Sequence, residues 1–287
     1  MIWFVLALLA AIFEASSIII EKKSLIKEHA LEFCCLVSLF AFLISFSFIN
    51  NVDFNLSLNL YILIFIASLF VTFGYWLVAK GIRHMDVSIA SPLLNFSPAI
   101  VFILAVIFLG EKLKSLQILG ILILVFGSYI LNSDGSFRFF KTFDRMYKSK
   151  AVKNILLGIL IWSVARIFDK YLLNWINQYT YLFIIHFFIM LNFLVILFIF
   201  YDGFKGIKHG IKGSLHWLLV MAALIVVARL SYLTALKMAY LSLVFVIFKT
   251  SNLLAAIIGG NIFHERALLQ RVIAAIIMVV GVYLVVV

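Results

Sequence analysis

Lys249 stands inside Leu241 to Ile262, a run of apolar and small residues long enough to cross a lipid bilayer. A charge at such depth costs several kcal/mol unless it is paired, hydrated or able to reach the interface. At 1.5 Å per residue the ammonium-bearing position lies about 12 Å from the nearer end of the run, and its stem spans only about half of that. Two environments answer the cost: an aqueous cavity with an anionic ligand, or a headgroup reached by snorkelling. Arg229 and Arg166 each lie seven residues from the end of their own apolar runs, and His186 falls at a similar depth. All four sit in the same half of the membrane, where they repel one another unless an anion, a carboxylate or water lies between them. The chemistry of such a set is the binding of a carboxylate or phosphate. Asp169, three residues after Arg166, is placed to neutralise it in part. The alternative is that each cation snorkels independently.

Other polar groups extend the set. Glu14, with Ser17 and Glu21 on a similar helical face, suits a proton carrier or the counter-ion of an ammonium group; a hydrogen bond between helices is the structural alternative. Asn95 and Asn252 offer hydrogen bonds, and Asn95 stands 154 residues before Lys249. Pro92 and Pro98 flank Asn95, so a kink or a natural helix break is expected there. Tyr75 and Trp76 are suited to stacking on a planar substrate or to anchoring at the interface. Gly120, Gly127 and Gly281 read as close helix packing.

Enzyme chemistry has no support. There is no HExxH, no P-loop, no Gly-x-Ser-x-Gly and no Cys/His set at metal-ligand spacing, so no catalytic residue, metal or cofactor is expected. Cys34 and Cys35 are adjacent in an apolar stretch and define no disulfide framework.

The elements that must position these residues are membrane spans. Hydrophobic residues make up 66% of the 287-residue chain and charged ones 12%, about half the share of a soluble domain. With mean hydropathy +1.21 and only two Pro, this composition excludes a soluble domain and a turn-rich β-barrel. The net charge of +11 falls mostly between apolar runs, which points to membrane lipids rather than nucleic acid. The apolar start continues past Glu14 without a basic leader and reads as a first span.

Ten spans are expected, at 2–20, 31–49, 59–79, 87–109, 115–131, 154–173, 179–201, 215–236, 241–262 and 268–286. The one long connection, 132–153, is basic and separates a half at 1–131 from a half at 154–287. The halves share features: Glu111-Lys112 and Glu265-Arg266 close spans four and nine, and Gly127/Tyr129 match Gly281/Tyr283. Five spans per half force the second half to enter from the opposite side. The fold class is therefore all-α polytopic, ten transmembrane helices as two inverted five-helix repeats around a central cavity. Loop Lys and Arg number four on the face of the termini and sixteen on the other, which puts the 132–153 loop in the cytoplasm.

With these residues in order, the chain resembles the EamA-type members of the drug/metabolite transporter superfamily over essentially its whole length. The resemblance implies a basket in which spans five and ten pack outside, and a span-nine lysine, here Lys249, that faces an anionic substrate. It also implies cytoplasmic termini, opposite to the loop-charge reading; an inverted repeat admits either. The expected function is secondary transport of a small polar or anionic metabolite by alternating access, in the plasma membrane of a prokaryotic cell. Lys249 and Arg229 would bind the anion, Arg166 and His186 widen the positive field, Glu14 bind an ammonium group or carry a proton, and Asn95, Asn252, Tyr75 and Trp76 complete the site. The partners are a small-molecule substrate and lipids, with proton coupling and a homodimer both admitted. A non-transporting scaffold or a passive channel is the alternative.

Overall fold

Lipid offers no hydrogen bonds to a backbone, so apolar runs of this length must satisfy themselves as helix. The computed structural model describes residues 2–25, 30–83, 93–94, 96–132, 149–200, 204–262 and 268–286. Among them every regular element is helical. In chain order these are α1 (Ile2–Leu25), α2 (Ala30–Ser45) with a 3-10 turn at Phe46–Asn51, α3 (Leu58–Arg83), α4 (Ser97–Leu109) and α5 (Ser115–Asn132). Then follow α6 (Lys150–Leu172), α7 (Gln178–Phe200), α8 (Phe204–Met238), α9 (Leu241–Phe248), α10 (Ser251–Ile262) and α11 (Leu268–Val286). Six stretches are long and apolar enough to cross a membrane: Ile2–Ile20, Leu31–Asn51, Leu58–Val78, Lys150–Leu172, Gln178–Ile199 and Leu215–Met238. Shorter apolar helices occupy Ser97–Leu109, Ser115–Gly127, Leu241–Ala255 and Ile276–Val286.

Two expected elements differ. The basic segment expected as a loop before span eight is helical from Phe204, because Phe204, Ile207 and Ile211 recur at helical spacing with Lys205, Lys208 and Lys212 between them. Span nine is not one helix but two, α9 and α10, separated at Lys249 and Thr250. Thr250 supplies the local cause: its hydroxyl donates to Ile247 O at 2.7 Å and its N–H to the same carbonyl at 3.0 Å, an i→i+3 turn that competes with the helix.

Span four is interrupted at the matching place. Pro98 lies in the first turn of α4, where a missing N–H costs nothing, so it marks a break rather than a kink. The hydrogen bonds of the two breaks repeat 154 residues apart: Phe96 N to Leu93 O with Thr250 N to Ile247 O, and Ile100 N to Phe96 O with Leu254 N to Thr250 O. The separation is that of Asn95 from Lys249.

The helices cluster into two compact units, each drawing on both ends of the chain. In the unit of residues 1–72 and 168–238, α1 turns buried Ala7, Ala10, Ala11 and Ala15 inward and packs on α8. Small side chains permit that close approach. α2 packs on α7 and α8, and Phe42, Phe46 and Phe183 interlock with ring centroids 5.1–5.3 Å apart.

In the unit of residues 73–167 and 239–287, the end of α3 runs antiparallel to α6 over Gly74, Gly81 and Gly158. A Cβ at Gly158 would stand 2.9 Å from the Gly74 carbonyl oxygen. Val78, Leu93, Val152, Ile155 and Ile159 form the core beside this crossing. α5 and α11 meet at Gly120 and Gly281, where a Cβ on Gly120 would lie 2.8 Å from Gly281 O and 2.9 Å from Val285 N. Gly120→Val is therefore expected to destabilise the detergent-solubilised protein by about 1–3 kcal/mol through overpacking. Leu122→Ala, 54% exposed on the same helix, should leave thermal unfolding nearly unchanged; equal effects of the two would contradict the packing assignment.

Candidate functional site

In the unit of residues 73–167 and 239–287, one helical turn separates Trp162 from Arg166 on α6, and another separates Phe245 from Lys249 at the end of α9. This i,i+4 spacing sets each cation above an aromatic ring of its own helix. The rings are shared. Arg166 Cζ lies 5.4 Å from the Trp162 centroid and 5.9 Å from that of Phe245. Lys249 Nζ lies 5.3 Å from Trp162, 5.5 Å from Phe245 and 5.6 Å from Phe248. Arg166 is buried and Lys249 half-buried. Each cation gains attraction from the ring quadrupoles, about 0.5–2 kcal/mol per contact according to desolvation. Two like charges gathered on one pair of rings also repel, and a bound anion lowers the energy of that arrangement.

Two buried polar atoms beside these cations have no hydrogen-bond partner among the described residues: Trp162 Nε1 and Ser251 Oγ. Leaving a buried polar group unmet costs about 1–3 kcal/mol, so such atoms favour a ligand that meets them. Ser251 opens α10, whose positive dipole end thus begins two residues from Lys249. Asn252, half-buried in the same turn, donates its backbone N–H to Lys249 O at 3.2 Å. Tyr75 stands edge-on to Trp162 at 6.2 Å and 89° and braces that ring. Trp76 instead lies under Lys80, with Nζ 5.4 Å from its centroid, so the two neighbours serve different places.

Glu111 positions α9. It follows Gly110, whose φ of 64° ends α4 in the left-handed conformation that glycine adopts without strain. Its carboxylate accepts Leu241 N–H at 2.5 Å and Ser242 N–H at 3.1 Å, and also takes the Ser242 hydroxyl. A residue 130 positions away thus acts as the N-cap that α9 lacks locally.

The unit of residues 1–72 and 168–238 holds the other candidates. Asp169, fully buried near the end of α6, accepts Arg229 Nη2 at 2.7 Å and the Tyr181 hydroxyl at 2.5 Å. The sequence suggested Asp169 as the neutraliser of Arg166. Its carboxylate meets Arg229 of α8 and the Tyr181 phenol of α7, partners that sequence spacing did not suggest. Arg229 Cζ also lies 5.5 Å from the Tyr232 ring. Lys170 Nζ donates to Leu236 O at 2.5 Å, a second tie to α8. His186 is buried with Nδ1 2.8 Å from Ser45 Oγ, which itself donates to Ala41 O at 2.7 Å. Glu14 is half-buried on α1, and its carbonyl takes the Ser17 hydroxyl at 2.8 Å.

Asn95 lies outside the described residues, as does most of the 132–153 loop. Sequence reasoning did not single out Trp162, Phe245 or the capping role of Glu111. Aromatic–cation pairs at i,i+4 were the available signal for the first two; nothing local announces a cap supplied from another helix.

The sequence model of the EamA-like transporter family matches residues 1–133 and again residues 149–287. No curated protein matches the chain. The solved structures similar in fold include a crystal structure of a protein, with a TM-score of 0.78 at 12% identity over 98% of this chain and 95% of that one. The two family matches cover nearly the whole sequence, and the apolar helices are those of a lipid-embedded protein. The chain therefore belongs to the EamA-like transporter family, in the drug/metabolite transporter superfamily, and is an integral membrane protein.

Proposed function

We propose that this protein is a secondary transporter that moves a small polar or anionic metabolite by alternating access, with Arg166 and Lys249 as the anion-binding pair. The observation that carries this is their convergence on Trp162 and Phe245 beside two buried, unmet polar atoms. Trp162 Nε1 donates to a substrate acceptor, Ser251 Oγ takes or gives a second hydrogen bond, and the rings hold the apolar body of the substrate. Arg229 is engaged by Asp169, so its charge is already met within the protein. Glu14 carries a proton or receives an ammonium group, and His186 and Asn252 contribute polar contacts.

The same reading takes the chain as two inverted five-helix repeats, 1–131 and 154–287, joined by a cytoplasmic 132–153 loop. Support comes from the two separate family matches and from helix breaks whose hydrogen bonds recur 154 residues apart. Discontinuous helices at matching places in two halves are a recurrent build for midplane transport sites. The loop charges support a prokaryotic plasma membrane orientation with that loop inside.

The test is uptake and counterflow in proteoliposomes, with substrate found by a thermal-shift screen of carboxylates, phosphates and amino acids. Lys249→Met and Arg166→Met are each expected to raise KM about tenfold to a hundredfold, the worth of one charge-assisted hydrogen bond. Unchanged saturable uptake in both variants would sink the anion assignment, and flux without counterflow would indicate a channel.

A further inference from the structure

In the unit of residues 1–72 and 168–238, α7 carries the most apolar of the six membrane-length stretches, Gln178–Ile199 at mean hydropathy 2.8. Between Leu182 and Phe200 its only polar side chains are His186 and Asn192. His186 meets Ser45 of α2. Asn192 turns to α3 instead: its Nδ2 donates to Ser68 Oγ at 2.9 Å and reaches Thr72 Oγ1 at 3.5 Å. Both hydroxyls belong to fully buried residues, and each donates to its own helix, Ser68 to Phe65 O at 2.6 Å and Thr72 to Ser68 O at 2.9 Å. Residues four apart share a helix face, so two successive turns of α3 hold one amide. One turn away Phe65 and Phe188 meet edge-on, with ring centroids 5.3 Å apart at 71°. Hydrogen bonding between helices accounts for Nδ2 and stops there. Asn192 Oδ1 takes no hydrogen bond from the described residues, and its side chain is only half-buried, so the oxygen is not enclosed by the protein. Ser68 is the central residue of Leu58–Val78, and Asn192 stands about 10 Å before the end of Gln178–Ile199, a depth at which lipid offers no donor. A carbonyl bare at that depth favours a donor that arrives from outside the chain.

We infer that Ser68, Thr72 and Asn192 form a neutral binding site that takes the hydroxyl or amide N–H of a small ligand, separate from Arg166 and Lys249 and independent of the transport reading. The buried hydroxyls fix the amide, Asn192 Oδ1 accepts the ligand's hydrogen bond, and Phe65 and Phe188 hold its apolar body. No carboxylate is hydrogen-bonded to these three side chains among the described residues, so a neutral donor suits the site better than an ammonium group.

The experiment has two arms on the full chain. In reconstituted vesicles, Asn192→Cys is placed in a Cys34→Ser/Cys35→Ser background and treated with a charged methanethiosulfonate, beside Leu122→Cys, at a position 54% exposed on α5. Only a hydrated thiol ionises readily, and each pKa unit added by an apolar setting slows the reaction about tenfold, so Asn192→Cys is expected to react at least that much faster. Equal rates, or disulfide-linked dimers of Asn192→Cys, would set the oxygen against lipid or a second copy and overturn the site. In detergent, phenol and toluene, alike in size but differing in the hydroxyl, are titrated against the parent and Asn192→Leu, with each melting midpoint read from its own ligand-free value. Asn192→Leu should weaken apparent phenol binding about threefold to tenfold, the worth of one neutral hydrogen bond, and leave toluene unchanged. Undiminished phenol binding by Asn192→Leu, or a loss shared by toluene, overturns the hydrogen-bond assignment. Ser68→Ala/Thr72→Val keeps the oxygen but frees the amide and should fall between the two; full phenol binding by this variant would overturn the positioning role of the hydroxyls.

Discussion

Asp169→Ala is expected to cost about 3–5 kcal/mol of stability, the effect of breaking a buried ion pair by removing one partner. Asp169 is fully buried and receives both the Arg229 guanidinium at 2.7 Å and the Tyr181 hydroxyl at 2.5 Å. Its loss strands a charge whose side chain is only 13% exposed and a phenol that is fully buried. Three helices would feel the change at once, since α6, α7 and α8 each supply one member. Asp169→Asn retains an oxygen for one donor and should lose less than half as much. Asp169→Leu combined with Arg229→Met removes both charges and should recover most of the loss, because hydrophobic replacement of a buried pair is often neutral. Thermal or denaturant unfolding in detergent reads all three. A double variant no more stable than Asp169→Ala would show that the penalty comes from packing and not from the stranded charge.

This pairing also divides the cations that sequence reasoning placed together. Residue counts along each span led to the expectation that Arg166, Arg229, His186 and Lys249 share one depth. Azimuth is not readable, because a twenty-residue apolar helix in lipid has no polar face to orient it, and the direction of each side chain depends on neighbours far away in sequence. Arg229 therefore emerges as a structural partner of Asp169, while Arg166 and Lys249 emerge as companions over Trp162 and Phe245. The helical, lipid-embedded character was legible for a simpler reason: lipid leaves the backbone one solution, and hydropathy marks where it applies.

Helix continuity was half legible. Pro98 announced the interruption of span four, whereas span nine contains no proline, and its break rests on Thr250 turning back to Ile247. The 154-residue correspondence links the two, so a break marked by proline in one half points to an unmarked break in the other. The glycines were legible as points of close packing, and the structure gives their partners: Gly120, Gly127 and Gly281 pack α5 against α11. What sequence could not supply was any contact between residues on different helices, and the Glu111 cap is the clearest case.

That cap carries the last large expectation. α9 has eight residues, all buried, and an isolated helix so short is marginal in water. Its first N–H groups face no local side-chain acceptor, and Tyr240 at the N-cap makes no side-chain hydrogen bond. Glu111 meets Leu241 N–H, Ser242 N–H and the Ser242 hydroxyl together. Glu111→Ala leaves all three unmet, at about 1–3 kcal/mol for each buried group before relaxation, so a net loss of about 3–5 kcal/mol is expected. Glu111→Gln keeps one acceptor and should fall between the parent and alanine; Ser242→Ala removes only the hydroxyl and should cost about 1 kcal/mol. The consequence reaches the candidate site because the other end of α9 is Lys249. Transport by Glu111→Ala, assayed well below its melting midpoint, should therefore weaken although residue 111 touches neither Trp162 nor Phe245. If stability falls while transport per folded molecule is unchanged, the cap holds the fold without positioning Lys249, and the coupling between the two ends of α9 is disproved.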